Sequence, residues 1–109
     1  MGREGLGEFE HLVLLAVARL GAEAYGVPIV DELERNTGRR VSRASVYVAL
    51  KRLEAKSLIV SMLGEPTPER GGRAKRYFQI SAAAERRLQE ARTALMKMWA
   101  DLPVVQKPT

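Results

Sequence analysis

The sequence predicts a mainly α-helical (α+β) fold that contains one small β-hairpin and ends in a long helix. Three observations predict it. Apolar residues recur at helical spacing in three segments between residues 9 and 56. Two short β-branched or aromatic runs flank a polar segment rich in Gly and Pro. A last segment repeats apolar residues in alternating steps of four and three, and the 109-residue length suits a single core.

The first helix is predicted from Phe9 to Leu20, where apolar side chains lie three and four positions apart. Leu14 and Leu15 add apolar surface outside that stripe, so the helix is expected to be covered on more than one side. Gly21 follows, and glycine commonly ends a helix in the left-handed conformation.

The second helix is predicted to begin near Gly26 or Val27, because Pro28 suits a first helical turn, where its missing N–H costs nothing. Gly38 provides the stop signal. The inner face is expected to carry Ile29, Val30 and Leu33, and the outer face Asp31, Glu32, Glu34 and Arg35.

The third helix has the clearest start signal. Ser42 is expected to cap its N-terminus by accepting a hydrogen bond from a backbone N–H. Val41 and Val46 are spaced for a hydrophobic staple around that cap. Val46, Leu50 and Leu53 then form the predicted buried stripe.

A hairpin and a long helix complete the predicted fold. The runs 58–63 and 76–80 are expected to pair as antiparallel strands around a long polar loop. Ser81 is placed to cap the final helix, which Pro103 is expected to close. The 4-3 seam of that helix contains Ala84, Leu88, Ala91, Leu95, Met98 and Leu102.

Basic residues are concentrated in the middle of the chain, although the net charge of the whole chain is only +5. Residues 41–80 contain eight Lys/Arg and three Asp/Glu, whereas residues 1–40 contain five and seven. Such a positive segment indicates an anionic partner, most commonly nucleic acid. The alternative is a solvated basic surface without a partner.

Other classes of function have little support in the composition. The chain has no cysteine and one histidine, so no disulfide, catalytic residue, cofactor or metal site is predicted. No apolar run reaches the roughly 18 residues of a membrane span. The N-terminal residues lack the basic-then-apolar layout of a signal peptide. We therefore expect a cytoplasmic protein that is not an enzyme.

Three helices, a hairpin and a long helix follow one another in the order of a winged helix-turn-helix. In that fold the third helix enters the DNA major groove, and the hairpin loop, or wing, reaches the flanking backbone or minor groove. The expected organisation is a DNA-binding domain over residues 1–81 and a dimerisation helix with its tail over residues 82–109. The function expected from it is sequence-specific transcriptional regulation.

The chain also resembles the PadR-like family of transcriptional regulators over about residues 9–102. The resemblance lies in AYGVPIVDELERNTGRRVS, SVYVALKRLEAKSLI and GEPTPERGGRAKRYFQIS, above all in Tyr25-Gly26, Tyr47, Arg52-Leu53-Glu54 and the run from Gly71 to Tyr77. Three residues depart from the family pattern: Ser57 and Ala84 stand where glycine is common, and Val48 where proline is common. Ser57 would need a left-handed conformation or a shifted helix end.

DNA contacts are expected from the first turns of the third helix and from the wing. We expect Arg43 to pair with guanine, Ala44 to meet a thymine methyl group or allow close approach, and Tyr47 to donate to a phosphate. A solvent-exposed Arg43 and a core Tyr47 ring are the alternatives. Because side chains alternate along a strand, at most one of Lys75 and Arg76 is expected on the DNA face. The predicted DNA-binding set is Ser42, Arg43, Ala44, Ser45, Tyr47, Lys51, Arg70, Gly71, Gly72, Arg73, Lys75 and Arg76.

Two further sets concern the long helix. Its seam, together with the strongly apolar first helix, predicts a homodimer that matches a palindromic operator. The predicted dimerisation residues are Leu12, Leu15, Leu88, Ala91, Leu95, Met98, Trp99 and Leu102. The resemblance further implies a candidate pocket for a flat hydrophobic or aromatic effector at Leu95, Met96 and Trp99, with plain interface packing as the alternative.

The function predicted from all of this is a dimeric repressor that an effector can release. The alternative is a winged-helix protein-interaction module that does not bind DNA. Basic residues on the third helix and the wing favour the repressor, because an interaction module would carry apolar or acidic surface there.

Overall fold

The computed structural model describes residues 5–65 and 74–103 of the chain. It confirms the predicted class, four α-helices and one two-stranded antiparallel hairpin. No helix within the two described stretches is long and apolar enough to cross a membrane. The elements are α1 (Glu8–Leu20), a short 3-10 turn (Gly21–Glu23), α2 (Gly26–Thr37), α3 (Arg43–Ala55), β1 (Ile59–Leu63), β2 (Arg76–Ile80) and α4 (Ala82–Trp99).

The predicted signals at the ends of α1 and α2 and at the starts of α3 and α4 are confirmed. Gly21 and Gly38 follow α1 and α2 with φ angles of 56° and 71°, which glycine adopts without strain. Ser42 Oγ accepts a hydrogen bond of 3.0 Å from the Ser45 N–H at the start of α3. Ser81 Oγ accepts one of 3.1 Å from the Ala84 N–H at the start of α4. These contacts satisfy backbone groups that a helix end otherwise leaves unpaired.

Helices α1, α2 and α3 enclose the core, and the hairpin and the first turn of α4 cover it. The largest fully buried side chains are Leu14, Ile29, Leu50, Leu53, Leu58, Ile59, Val13, Val17 and Val46. The predicted stripe of α3 lies among them. Of the two residues predicted to extend the covered surface of α1 beyond its apolar stripe, Leu14 is buried and Leu15 is exposed.

One predicted surface residue, Glu32 of α2, is buried, and its assignment to the outer face is wrong. Its carboxylate accepts hydrogen bonds from Arg19 of α1, from Arg35 at 3.3 Å and from the Asn36 amide at 3.0 Å. The hydrogen bond from Arg19 contributes most to holding the pKa of Glu32 below its ordinary value, against the opposing effect of desolvation. A buried carboxylate is tolerated here because these donors compensate its charge.

The hairpin is joined to the segment that links α1 to α2. Ile59 pairs with Ile80 at one end of the ladder and Leu63 with Arg76 at the other. The Phe78 N–H donates to the Ala24 carbonyl over 2.9 Å, and Tyr25 forms an isolated bridge with Tyr77. The base of the wing therefore has a fixed place relative to the start of α2.

Helix α4 leaves the core after its first turns. Ala84 is fully buried with the core and Leu88 packs against it, whereas the residues from Arg92 to Trp99 are exposed. The prediction that the helix continues to Pro103 is wrong. Asp101 adopts a left-handed φ of 61°, which is not helical. Leu102 precedes Pro103, and a residue before proline disfavours the helical conformation. Helix α4 therefore ends at Trp99, and Leu102 lies beyond it.

Candidate nucleic-acid interface

A polar groove of about 510 Å³ separates α3 from the hairpin. The N-terminus of α2 closes one end of it. Four cationic side chains and one carboxylate contribute to its wall, so its charge is predominantly positive. The lining residues are Tyr25, Gly26, Val27, Arg43, Tyr47, Leu50, Lys51, Glu54, Ser61, Ala74, Lys75, Arg76 and Phe78.

Helix α3 presents the predicted DNA-contacting residues to solvent. Arg43, Ala44, Ser45 and Lys51 are all exposed, as is a large part of Tyr47. Ser42 and Ser45 are engaged with each other in the cap, since the Ser42 hydroxyl also donates to Ser45 Oγ over 2.8 Å. The first two turns of α3 are thus rigid and accessible, as a helix that enters a groove of DNA must be.

Tyr47 lies against the N-terminus of α2. A Cβ added to Gly26 would lie only 2.5 Å from Tyr47 Oη and 3.3 Å from its Cζ. Only glycine at position 26 therefore allows the phenol to lie where it does. The Tyr25-Gly26 pair, noticed in the sequence only as part of the family resemblance, thus has a steric role at the groove.

Lys75 and Tyr25 form a cation–aromatic cluster at the base of the wing. Lys75 Nζ lies 4.3 Å from the centroid of the Tyr25 ring and donates to Tyr25 Oη over 3.3 Å. The Tyr77 ring meets the Tyr25 ring edge-on, with centroids 5.3 Å apart. Tyr25 was not predicted as a site residue, because residues 25 and 75 are far apart in the sequence and only the fold brings them together.

Arg76 is held by a short chain of polar contacts on the opposite wall. Its Nη1 donates to Ser61 Oγ over 3.1 Å, and that hydroxyl donates to a carboxylate oxygen of Glu54 over 2.9 Å. Lys75 and Arg76 both line the groove, although strand alternation predicts only one of them there. The reason is that Lys75 precedes β2, and its long side chain folds over Tyr25.

The wing-loop residues and Arg52 are not part of the groove described above. Arg70, Gly71, Gly72 and Arg73 lie outside the described residues. Arg52 is exposed at the opposite side of α3, where its Nη1 lies 3.8 Å from Glu10 Oε2. Glu10 also pairs with Lys56 over 2.7 Å, so it ties α1 to the end of α3.

The predicted dimerisation set divides between the core and the surface. Leu12 packs against the core and Leu88 does so on α4, whereas Leu15 is exposed. Farther along α4 the apolar side chains protrude, with exposed fractions of 51% for Leu95, 75% for Met98 and 56% for Trp99. Met96 is exposed as well, so the candidate ligand residues form a surface on the single chain rather than an enclosed cavity.

Comparison with known proteins is consistent with this geometry. The model of the family described as "Transcriptional regulator PadR-like family" matches residues 14–90. No curated protein matches the chain. Among solved structures, a PadR-like transcriptional regulator from Bacillus cereus has a TM-score of 0.72 at 20% identity and covers 93% of each chain. A PadR family transcriptional regulator from Eggerthella lenta has a TM-score of 0.69 at 20% identity, with 94% of this chain and 88% of that chain covered. At these identities the structural likeness concerns the fold.

Proposed function

The chain belongs to the PadR-like family of transcriptional regulators, whose members bind DNA and are not enzymes, and from this premise we propose that it is a cytoplasmic, dimeric repressor of a palindromic operator. Residues 1–81 supply the DNA-binding domain in this proposal, and residues 82–109 supply the dimerisation helix and its tail. An aromatic or otherwise flat hydrophobic effector releases the repressor from DNA.

The observation that carries the proposal is the cationic groove between α3 and the wing. Arg43 and Lys51 project from α3, and Lys75 and Arg76 line the same groove from the hairpin side. One exposed helix beside a basic hairpin matches the major-groove helix and flanking wing of winged-helix DNA binders. Phosphate oxygens are the complementary partners of this charge arrangement.

The residues of the groove have different roles in the proposal. Arg43, at the N-terminus of α3, pairs with O6 and N7 of a guanine, as a planar guanidinium can. Tyr47 donates its hydroxyl to a phosphate. Lys75 and Arg76, with Arg70 and Arg73 of the wing loop, contact the backbone, and Gly71 and Gly72 allow the close approach of the loop. Ser42, Ala44, Ser45 and Lys51 complete the contact surface of α3.

The direct test is a gel-shift assay on the DNA upstream of the coding sequence at two salt concentrations. We expect a sequence-specific complex that weakens as salt rises. Arg43→Ala should relax sequence preference, whereas Lys75→Ala should weaken binding to all sequences and flatten the salt dependence by about one phosphate contact. Arg86→Ala is the matched control, because Arg86 is exposed on α4 and does not line the groove.

Two results would contradict the proposal at different levels. Absence of any specific complex at low salt, with the fold intact by circular dichroism, would favour the protein-interaction module instead. Identical behaviour of the Arg43 and Lys75 variants would contradict the division between base and backbone contacts.

The dimer is supported by the exposed apolar surface of α4. An apolar stripe with a repeat of about 3.5 residues is buried most easily against a second helix. Two subunits would then place their recognition helices about 34 Å apart, one turn of DNA. Leu95→Asp should dissociate the dimer in sedimentation experiments at micromolar concentration. Thr93→Asp on the opposite face of α4 is the control, and a monomeric wild type would overturn the dimer.

Effector binding is proposed at Leu95, Met96 and Trp99 where the two copies of α4 meet. Trp99 is the only tryptophan of the chain, so its fluorescence reports on this site alone. Titration with 8-anilinonaphthalene sulfonate, an aromatic dye that carries one sulfonate group, should change Trp99 emission in the wild type and not in the Leu95→Asp variant. An unchanged spectrum in the wild type would remove the support for this pocket.

A further inference from the structure

The outward face of α3 has an apolar centre, of which the expected DNA contacts include Ala44 but not Val48. Ala44, Val48 and Ala55 all lie on the side of the helix opposite its buried stripe, and all three are exposed. At 100° per residue, positions 44 and 48 are separated by about 40° around the helix axis, so their side chains are neighbours on one face. Lys51 lies on the same face.

Val48 is the largest apolar side chain on this face. Half of it (50%) is exposed in the single chain. A β-branched residue in a helix has one strongly preferred χ1 rotamer, so the exposed part of the Val48 side chain is held in a fixed direction. One exposed valine on an ordinary surface needs no explanation. Val48, however, lies in the middle of α3, the helix proposed to face DNA.

The cations around this face indicate what covers it. Lys51 lies beside the apolar centre, and Arg43, Lys51, Lys75 and Arg76 line the adjoining groove. On the other side, Ala44 and Val48 share a depression with Glu8, Glu10 and Arg52. A protein partner for this face would have to be acidic where it meets the cationic groove and apolar over Ala44 and Val48. The major groove of DNA offers both, because phosphates flank base edges and thymine adds a C5-methyl group there.

We propose that Val48, together with Ala44, determines sequence specificity by packing against thymine methyl groups in the major groove. This inference rests on the proposed function, and it names the base that the centre of α3 reads. Cytosine presents no methyl group at that position and adenine and guanine present polar edges, so the apolar face favours thymine over each of them.

The experiment begins with selection of binding sites from random duplex DNA by the full chain. The selected site is then synthesised with deoxyuridine in place of each thymine in turn, which removes only the C5-methyl group. For the wild type we expect one or two positions per half-site at which affinity falls about fourfold, the factor that one buried methyl group corresponds to. At the position that Val48 contacts, Val48→Ala should bind thymine and deoxyuridine equally well, whereas a position that Ala44 contacts should keep its response.

Two further variants define the comparison. Val60→Ala is the matched control, because Val60 has nearly the same exposure (51%) but lies on β1 and lines neither the groove nor the depression beside Val48. It should keep the full response to deoxyuridine. Val48→Thr retains one methyl group in a β-branched side chain, so it should keep part of the response, and it provides a second variant if Val48→Ala alters the fold.

The outcomes distinguish the role of Val48 from sequence-specific DNA binding itself. Equal losses with deoxyuridine in the wild type and in Val48→Ala, or no loss in either, would overturn the role of Val48 and leave DNA binding intact. Failure to select any sequence from the library would overturn the proposed function and this inference together.

Discussion

The end of α3 allows one substitution to be predicted in detail, Ser57→Gly. The Leu58 N–H donates to the Leu53 carbonyl and the Ser57 N–H to the Glu54 carbonyl, both over 3.0 Å. This pair of bonds is the Schellman motif, whose first residue after the cap is left-handed and usually glycine. Ser57 occupies that position with φ of 63°. The family resemblance left two alternatives for Ser57, a left-handed conformation or a shifted helix end. In the structure the helix end is unshifted and Ser57 is left-handed.

The magnitude follows from two opposing effects. A residue with a Cβ in the left-handed region costs about 1–2 kcal/mol, which Ser57→Gly removes. Glycine also makes the unfolded chain more flexible, which costs about 0.4–1 kcal/mol. The net expectation is a free energy of unfolding higher by about 0.5–1 kcal/mol, which corresponds to a Tm higher by about 4 °C in a domain of this size.

The assay is thermal and urea unfolding followed by circular dichroism at 222 nm, with all variants at one protein concentration, since dimerisation would raise Tm with concentration. Ser57→Ala keeps the Cβ and should not be stabilised. Asp101→Gly is a second control: Asp101 has nearly the same φ, 61°, but follows the last helix at the surface, so its replacement should change stability little. If Ser57→Gly is no more stable than Ser57→Ala, backbone strain at this residue is not the reason for any change.

Three further predictions concern the buried core, the dependence of Tm on acidic pH and the groove. Leu14→Ala should lower the free energy of unfolding by about 2–5 kcal/mol, because Leu14 is fully buried and a cavity would remain; a smaller loss in urea unfolding would show that the core collapses around the site. The pKa of Glu32 is lowered in the folded state, so its stabilising contribution is present above the ordinary pKa of a glutamate and is lost as pH falls through the lowered value. Glu32→Gln should therefore flatten the fall of Tm as pH decreases below the ordinary pKa of a glutamate, and an unchanged slope would contradict this. Gly26→Ala should displace the flexible Tyr47 side chain and reduce DNA affinity as much as Tyr47→Phe does, with little loss of stability; additive effects in the double variant would show that the two residues act independently.

Most elements were predictable because their signals are local. The caps at Ser42 and Ser81 and the stops at Gly21 and Gly38 depend on the conformations of only a few neighbouring residues. The strand 76–80 was predicted with the bounds observed, since β-branched and aromatic residues between polar segments favour a strand wherever it pairs.

Predictions failed where a residue's surroundings come from a distant part of the chain. Glu32 was assigned to the surface because carboxylates are usually exposed, yet α1 supplies Arg19 at the position that Glu32 faces. The nearest sequence neighbours of Glu32 do not indicate that contact. The error at Pro103 has a local cause instead, because Asp101, two residues earlier, already turns the chain.

The sequence by itself determined the order of the elements, the positive charge of the middle segment and the identity of the exposed helix, because periodicity, capping and composition are properties of short segments. Only the tertiary structure decided which side chains share the groove. Tyr25, Tyr47 and Lys75 meet there because the link between α1 and α2 pairs with the hairpin and glycine leaves room beside it. Contacts between residues fifty positions apart depend on how the elements pack, and the pattern of a single segment contains no information on that packing.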